Sequence, residues 1–224
     1  MVDDITTRAV LFDLDGTLID SGPDIAIAVN KVLTEIGLPT LPLPVVERFI
    51  GNGASMLIAN ILAQVGAPAD EARVKYCTDL YLAFYQQAPV VRTKFFENVQ
   101  ADLLMLHQAG LKLGICTNKS QALTENVLDQ LGIAPLFQSV HGADSVPRHK
   151  PDAGHLLAVV KALGLQPDEV VYVGDTEVDA ACARNAGIRF FVVNWGGGPA
   201  VKAEQATRIK FLRDVLSHIT IKTN

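Results

Sequence analysis

Two rhythms of apolar residues run along this chain. Short unbroken runs, such as Ala-Val-Leu-Phe at 9–12, alternate with longer stretches in which apolar positions recur every three or four residues. The first rhythm suits strands buried on both faces; the second suits helices that bury one stripe. Pro23 to Gly37 reads as a helix, with Ile25, Ala28, Val29, Val32, Leu33 and Ile36 at helical spacing. Ser21-Gly-Pro-Asp24 matches a capping box at its start. Prolines between Pro39 and Pro44 break the pattern, and helical segments follow at roughly 44–50, 53–65 and 68–87. Residues 22–87 hold no convincing strand and read as an all-helical module inserted after the first strand.

The alternation then resumes. Strands are expected at Leu111–Cys116, Ser139–His141, Val170–Val173 and Arg189–Val193. Between them fall helices at Val99–Ala109, Ser120–Leu131, Ala153–Leu163 and Thr176–Ala186, each followed by a glycine, and a last helix is expected at about 208–219. Near-continuous apolar strands separated by glycine-terminated helices indicate an α/β fold, a Rossmann-like parallel sheet covered on both faces. Gly196-Gly-Gly198 reads as a turn after a strand, near the mouth of a site.

Composition narrows the class. The chain has 224 residues, 49% hydrophobic and 19% charged, which suits a globular protein with a substantial core. A net charge of -5 gives no basic footprint for nucleic acid, so affinity for a phosphate has to come from a local site. Cys77, Cys116 and Cys182 are odd in number and without a Cys-x-x-Cys, which argues against a disulfide framework or a zinc site and fits a reducing cytoplasm. Cys116 reads as a small buried core residue. No signal peptide is expected after Met-Val-Asp-Asp, and no apolar run approaches the roughly 20 residues that span a bilayer.

Candidate chemistry falls at the strand ends. The first strand ends in Asp13-Leu-Asp15-Gly-Thr, and carboxylates at i and i+2 project to the same side where the strand runs out. Open α/β sheets place ligands at that edge, and a paired acid there can hold a hard cation and divide nucleophile from acid/base duties. The plainer reading is an Asp-Gly turn. Thr117 and Asn118 follow the next strand just before a helix start, which offers free N–H groups to an anion; Asn118 or Ser120 could instead be an N-cap. Lys150-Pro151 precedes another helix, where the lysine either neutralises a phosphate oxygen or is solvated. Gly174-Asp175 ends a further strand, and Thr176-x-x-Asp179 is itself a capping-box pattern, so Asp179 orients the loop more than it binds metal.

Taken in order, Asp13-Leu-Asp15-Gly-Thr, Thr117-Asn118, Lys150-Pro151 and Gly174-Asp175-x-x-x-Asp179 resemble the four motifs of the haloacid dehalogenase-like hydrolase superfamily. The resemblance covers nearly the whole chain. It implies a core domain of residues 1–18 and 93–224, with a helical C1 cap at 19–92. Phe49-Ile-Gly-Asn-Gly-Ala54 is similar to the cap loop of bacterial phosphoglycolate phosphatases, and Cys116-Thr-Asn-Lys119 fits the same branch. Three departures lie outside the motifs: Glu97-Asn98 where relatives usually carry Pro-Gly, Arg148-His149 before the motif lysine, and the loop Trp195-Gly-Gly-Gly198.

The resemblance implies a magnesium-dependent phosphatase. Asp13 is then the nucleophile and Asp15 the acid/base. Mg2+ is held by Asp13, Asp175 and the backbone carbonyl of Asp15, while Thr117, Asn118 and Lys150 bind phosphate. Asp179 supports the site, and Gly51, Asn52 and Gly53 contact the substrate from the cap. The substrate implied is a small phosphorylated metabolite, 2-phosphoglycolate, with no nucleic-acid or membrane partner and a monomer or homodimer as the acting unit. A β-phosphoglucomutase-type transferase, a phosphatase for another small metabolite such as a sugar phosphate or pyrophosphate, and a non-catalytic regulatory protein stay open as alternatives. Dehalogenase and phosphonatase activities are disfavoured, because those relatives lack an acid at the position of Asp15.

Overall fold

The computed structural model describes residues 6–202 and 206–221; the expectations for the first four residues and for both extreme ends of the core assignment lie outside them. In chain order, β1 (Ala9–Phe12) and a two-residue strand β2 (Ile19–Asp20) precede four helices. These are α1 (Gly22–Glu35), α2 (Leu43–Glu47), α3 (Ala54–Gln64) and α4 (Glu71–Gln87). Then come β3 (Lys94–Phe95), α5 (Val99–Gln108), β4 (Lys112–Cys116), α6 (Gln121–Gln130), β5 (Ser139–His141) and α7 (Ala153–Ala162). The described chain continues through β6 (Val170–Gly174), α8 (Glu177–Ala186), β7 (Arg189–Val193) and β8 (Thr207–Ile209).

Six strands pair in parallel in the order β5-β4-β1-β6-β7-β8. The first strand is therefore central. The chain builds outward from it to β5 and then crosses back to β6. That reversal between β1 and β6 is the switch point at which open sheets leave a crevice beyond the strand ends.

Alternating residues of each strand feed two cores, one on each face. Val10, Phe12, Ile115 and Val173 join Leu103 of α5 and Val127 of α6, while Leu11 and Tyr172 join Val159 of α7 and Ala183 of α8. The first core also runs into the helical module, through Ile25 and Val29 of α1, Ile58 of α3 and Tyr81 of α4. Among the described residues, no helix is long and apolar enough to cross a membrane.

The module leaves and rejoins the sheet along the antiparallel pair β2–β3, with Asp20 opposite Lys94. Two-residue strands are too short to show a periodicity in sequence. Beside them, the Asp24 carboxylate accepts from the backbone N–H groups of Val91, Arg92 and Thr93 and from the Thr93 hydroxyl, at 2.8–3.1 Å. Burial alone would raise Asp24; the Thr93 hydroxyl and these amides hold it below its ordinary value. The capping box expected at Ser21–Asp24 does not form. Ser21 makes no side-chain cap bond, its hydroxyl bonding Asp15 instead, and Asp24 is committed to residues 91–93.

The expected last helix at 208–219 is also corrected. Thr207–Ile209 is strand β8, paired along β7, and Leu212–His218 is a 3-10 helix. An edge strand with open backbone groups captured the first part. Leu212 and Val215, three apart and both fully buried, lie one 3-10 turn from each other. Asn98 explains one departure from the family pattern. Its φ is 64°, in the left-handed region that glycine fills easily and asparagine tolerates.

Candidate active site

All four motif segments meet at the carboxyl edge of the sheet around the switch point. Asp13 directly follows β1, its N–H bonded to the Val173 carbonyl of β6 at 2.9 Å, and its side chain is buried. Asp175 follows β6 and is also buried. Thr17 donates its hydroxyl to Asp175 Oδ1 at 3.0 Å, and the Gly197 N–H donates to Oδ2 at 2.7 Å. The closeness of these backbones explains the glycines. A Cβ on Gly16 would lie 2.2 Å from Asp175 Oδ2, and one on Gly196 would lie 2.2 Å from the Gly16 carbonyl oxygen. The Trp195 loop, expected near the mouth of a site, thus packs over Asp175, with the Trp195 indole N–H donating to the Thr17 carbonyl at 3.0 Å.

Lys150 sits among these acids and is not solvated. Its ammonium donates to Asp13 Oδ1 at 2.8 Å, Asp179 Oδ1 at 2.7 Å and the Tyr172 hydroxyl at 2.9 Å. Asp179 forms the capping box expected with Thr176, and its Oδ2 accepts from the backbone N–H and hydroxyl of Thr176 and from the Asp175 N–H. Both Asp179 oxygens are therefore occupied. The loop carrying Lys150 is held by His155, fully buried on α7. Its Nδ1 accepts from the Lys150 N–H at 3.2 Å while Nε2 faces the His141 carbonyl at 3.1 Å, which requires the neutral ring protonated on Nε2. Sequence reasoning missed His155, because a histidine inside a helix carries no signal without its partners.

The electrostatics follow from crowding. Burial pushes the Asp13 carboxyl up to about 7; Lys150 opposes this and Asp179 adds to it. Burial and the neighbouring carboxylates of Asp13 and Asp179 raise Asp175 well above its ordinary value. Asp179 is the exception. Burial works against its charge, but Lys150 and the hydroxyls of Thr176 and Tyr172 hold it below the usual carboxylate range. Oxygens of Asp13, Asp175 and Asp179 lie within 4.8 Å of one another. This all-oxygen set, short of positive charge, fits a hard divalent cation. Asp179 accepts two hydrogen bonds at Oδ1 and three at Oδ2, whereas each Asp175 oxygen and Asp13 Oδ1 accept one, so Asp13 and Asp175 are the carboxylates with lone pairs left to face it.

Asp15 faces the other way. Lys119 donates to both of its carboxylate oxygens at 2.8 Å, and Ser21 donates to Oδ1 at 2.5 Å. Asp13 and Asp15 line the same small cavity, of about 50 Å³, together with Thr117, Asn118 and Lys119. Asn118 is not an N-cap. Its amide donates to the carbonyls of Gly51 in the module and Lys150 in the loop before α7, at 3.0 and 3.1 Å, while its Oδ1 is buried without a partner. Gly51 and Gly53 line the cavity roof and Asn52 is exposed; a Cβ on Gly53 would lie 3.5 Å from the Asn118 carbonyl oxygen. A wider cleft of about 700 Å³ opens past Asp15, Gly16 and Asp175.

A family model described as "Haloacid dehalogenase-like hydrolase" matches residues 10–193. The chain belongs to that family. Its relatives include a protein of Cereibacter sphaeroides named "Phosphoglycolate phosphatase", 41% identical over 187 residues that cover 84% of this chain and 85% of that protein. A protein of the same name from Vibrio cholerae is 36% identical over 206 residues, 88% of this chain and 90% of the relative. A crystal structure titled as a predicted phosphoglycolate phosphatase from Haemophilus somnus superimposes with a TM-score of 0.85 at 26% identity, covering 95% of this chain and 97% of that one. This haloacid dehalogenase-like hydrolase is thus a phosphatase of the phosphoglycolate phosphatase-like type.

In this hydrolase, Asp13, Asp15, Thr117, Asn118, Lys150, Asp175 and Asp179 converge, and Gly51 and Gly53 roof them. Lys119 directly follows the motif pair Thr117-Asn118 and has no assigned role in the sequence pattern. Its burial and its contact with Asp15 become visible only when the strand ends meet.

Proposed function

We propose that this protein hydrolyses a small phosphate monoester, 2-phosphoglycolate, through an aspartyl-phosphate on Asp13. The observation that carries the reading is the division of the acid pair. Both acids line the cavity, but Asp13 is bonded to Lys150 within the buried acid cluster and Asp15 to Lys119 and Ser21, so one acid can meet phosphorus while the other meets the leaving oxygen. An Asp13 carboxylate oxygen attacks phosphorus as the bond to the leaving oxygen breaks, and the Asp15 carboxyl gives its proton to that oxygen. The Asp15 carboxylate then takes a proton from water as the water oxygen attacks phosphorus. Inorganic phosphate leaves, Asp13 is free again, and Asp15 is protonated as before.

Lys150, the Thr117 hydroxyl and the Asn118 amide bind the phosphoryl oxygens in this reading. Mg2+ held by Asp13, Asp175 and the Asp15 carbonyl supplies neutralisation of charge between an anionic nucleophile and an anionic substrate. Residues 19–92 act as a cap on the core of 1–18 and 93–224, with Gly51-Asn-Gly53 closing over the substrate and excluding water. The cytoplasm suits this chemistry, since all three cysteines are free thiols buried in the fold.

The test measures phosphate release from 2-phosphoglycolate with magnesium, in excess chelator, and after magnesium is restored. Turnover that is lost to chelator and regained with metal is expected. Full activity in excess chelator with no metal bound would refute the metal assignment, and an isomerised product without free phosphate would point to the transferase.

A further inference from the structure

The cavity beside Asp15 contains an ion pair on the side where the leaving group must sit. The Lys119 side chain is 3% exposed, its ammonium contacts both Asp15 oxygens, and the Tyr85 hydroxyl of α4 lies 3.1 Å away. Lys119 lines this cavity as a cation, and Ile25, Ile50, Leu57 and Leu82 supply apolar lining to it. The cavity is small, about 50 Å³, which suits a compact leaving group.

Resting on the assignment of Asp15 as acid, the placement of this pair has a direct chemical reading. A leaving group whose ester oxygen meets Asp15 brings its neighbouring atoms within reach of the buried Lys119 ammonium. An anion carried there pairs with a cation already removed from water, where charge-assisted hydrogen bonds are strong. We propose that Lys119 determines specificity by binding a carboxylate on the leaving group, exchanging Asp15 for the substrate when the site fills. Because Lys119 touches the same carboxylate that serves the leaving oxygen, the substrate carboxylate must lie only one or two carbons from that oxygen. Tyr85, held protonated by burial and by the carboxylates of Asp15 and Asp24, has a hydroxyl proton to offer the incoming anion.

The experiment compares kcat/KM for 2-phosphoglycolate, the three-carbon 2-phospholactate and the neutral-tailed 2-hydroxyethyl phosphate. It uses the parent, Lys119→Met and Lys119→Arg, each checked for folding by circular dichroism. The parent is expected to prefer the carboxylate esters by at least about 100-fold. In Lys119→Met that ratio collapses toward one through loss on the carboxylate esters, and Lys119→Arg restores part of it. Equal losses on all three esters, with the ratio kept, would mean that Lys119 serves only Asp15 and would overturn the proposal. So would a parent without preference for the charged tail. A parent that prefers 2-phospholactate to 2-phosphoglycolate would refute the phosphoglycolate reading alone, while the ratio against the neutral ester still tests Lys119. Should Lys119→Met fail to fold, Lys119→Gln keeps a hydrogen bond to Asp15 without the charge and carries the same comparison.

Discussion

His155 should give the protein an acid-sensitive stability that one substitution removes. Its ring is fully buried, accepts from the Lys150 N–H and meets the His141 carbonyl, an arrangement that only the neutral ring satisfies. Burial first, and then the nearby Lys150 ammonium, lower its pKa from 6.5 to about 4. An unfolded chain therefore takes up a proton at this position between about pH 6.5 and 4 while the folded protein does not. Stability from His155 is complete above pH 6.5, falls as the pH drops, and is lost below about 4. The displacement corresponds to about 3 kcal/mol in total, of which about 2 kcal/mol has gone by pH 5. Urea unfolding of the parent and of His155→Gln across pH 5 to 7.5 isolates this contribution, since every other titrating group is common to both. The parent should lose about 2 kcal/mol relative to the variant over that range. A difference between the two proteins that stays flat with pH would refute the neutral, bridging role of His155.

Two further outcomes test other parts of the site. Asp15→Asn, given an aryl phosphate whose leaving group needs no acid, should release a burst of about one equivalent of phenolate and then turn over slowly for want of a base; linear turnover at the parent's rate would remove Asp15 from its role. Gly196→Ala drives a Cβ to 2.2 Å from the Gly16 carbonyl oxygen at a residue with φ 56°. It should cost about 1–3 kcal/mol in urea unfolding and lower kcat, whereas an unchanged midpoint and rate would show slack in the loop.

Strand and helix placement around the central sheet was legible because the inner strands β1, β4, β6 and β7 are largely buried and read as near-continuous apolar runs, as at Val170–Val173. The chemistry was legible because strand ends concentrate it: Asp13, Thr117 and Asp175 each stand one residue beyond a strand. What stayed hidden depended on partners far away in sequence. The start of the last segment became a strand because β7 offered an open edge, which no local propensity encodes. Ser21 and Asp24 had the letters of a capping box, but Asp15 and residues 91–93 compete for them. Lys119 enters the sequence pattern only as the last letter of Cys116-Thr-Asn-Lys119 and His155 not at all, since what marks them is burial against Asp15, 104 residues from Lys119, and against the Lys150 N–H and His141 carbonyl, which only the folded loops bring to the His155 ring.

The pairing of Asp20 with Lys94 has a consequence for how such a chain can be remodelled. The two ends of the helical insertion stand one strand spacing apart, about 4.8 Å, and the Asp24 carboxylate ties the returning chain to the departing one. Mechanically, the insertion hangs from a single stem and is not stretched between two anchors. The sheet is closed by β1 pairing directly with β4 and β6, so its geometry makes no demand on the length of what lies between residues 20 and 94. Closing a longer or shorter loop changes the entropy cost only logarithmically. The stem is therefore a grafting point: any segment whose own ends meet at strand spacing can be exchanged there, changing what covers the strand ends while leaving the acids at those ends where they are.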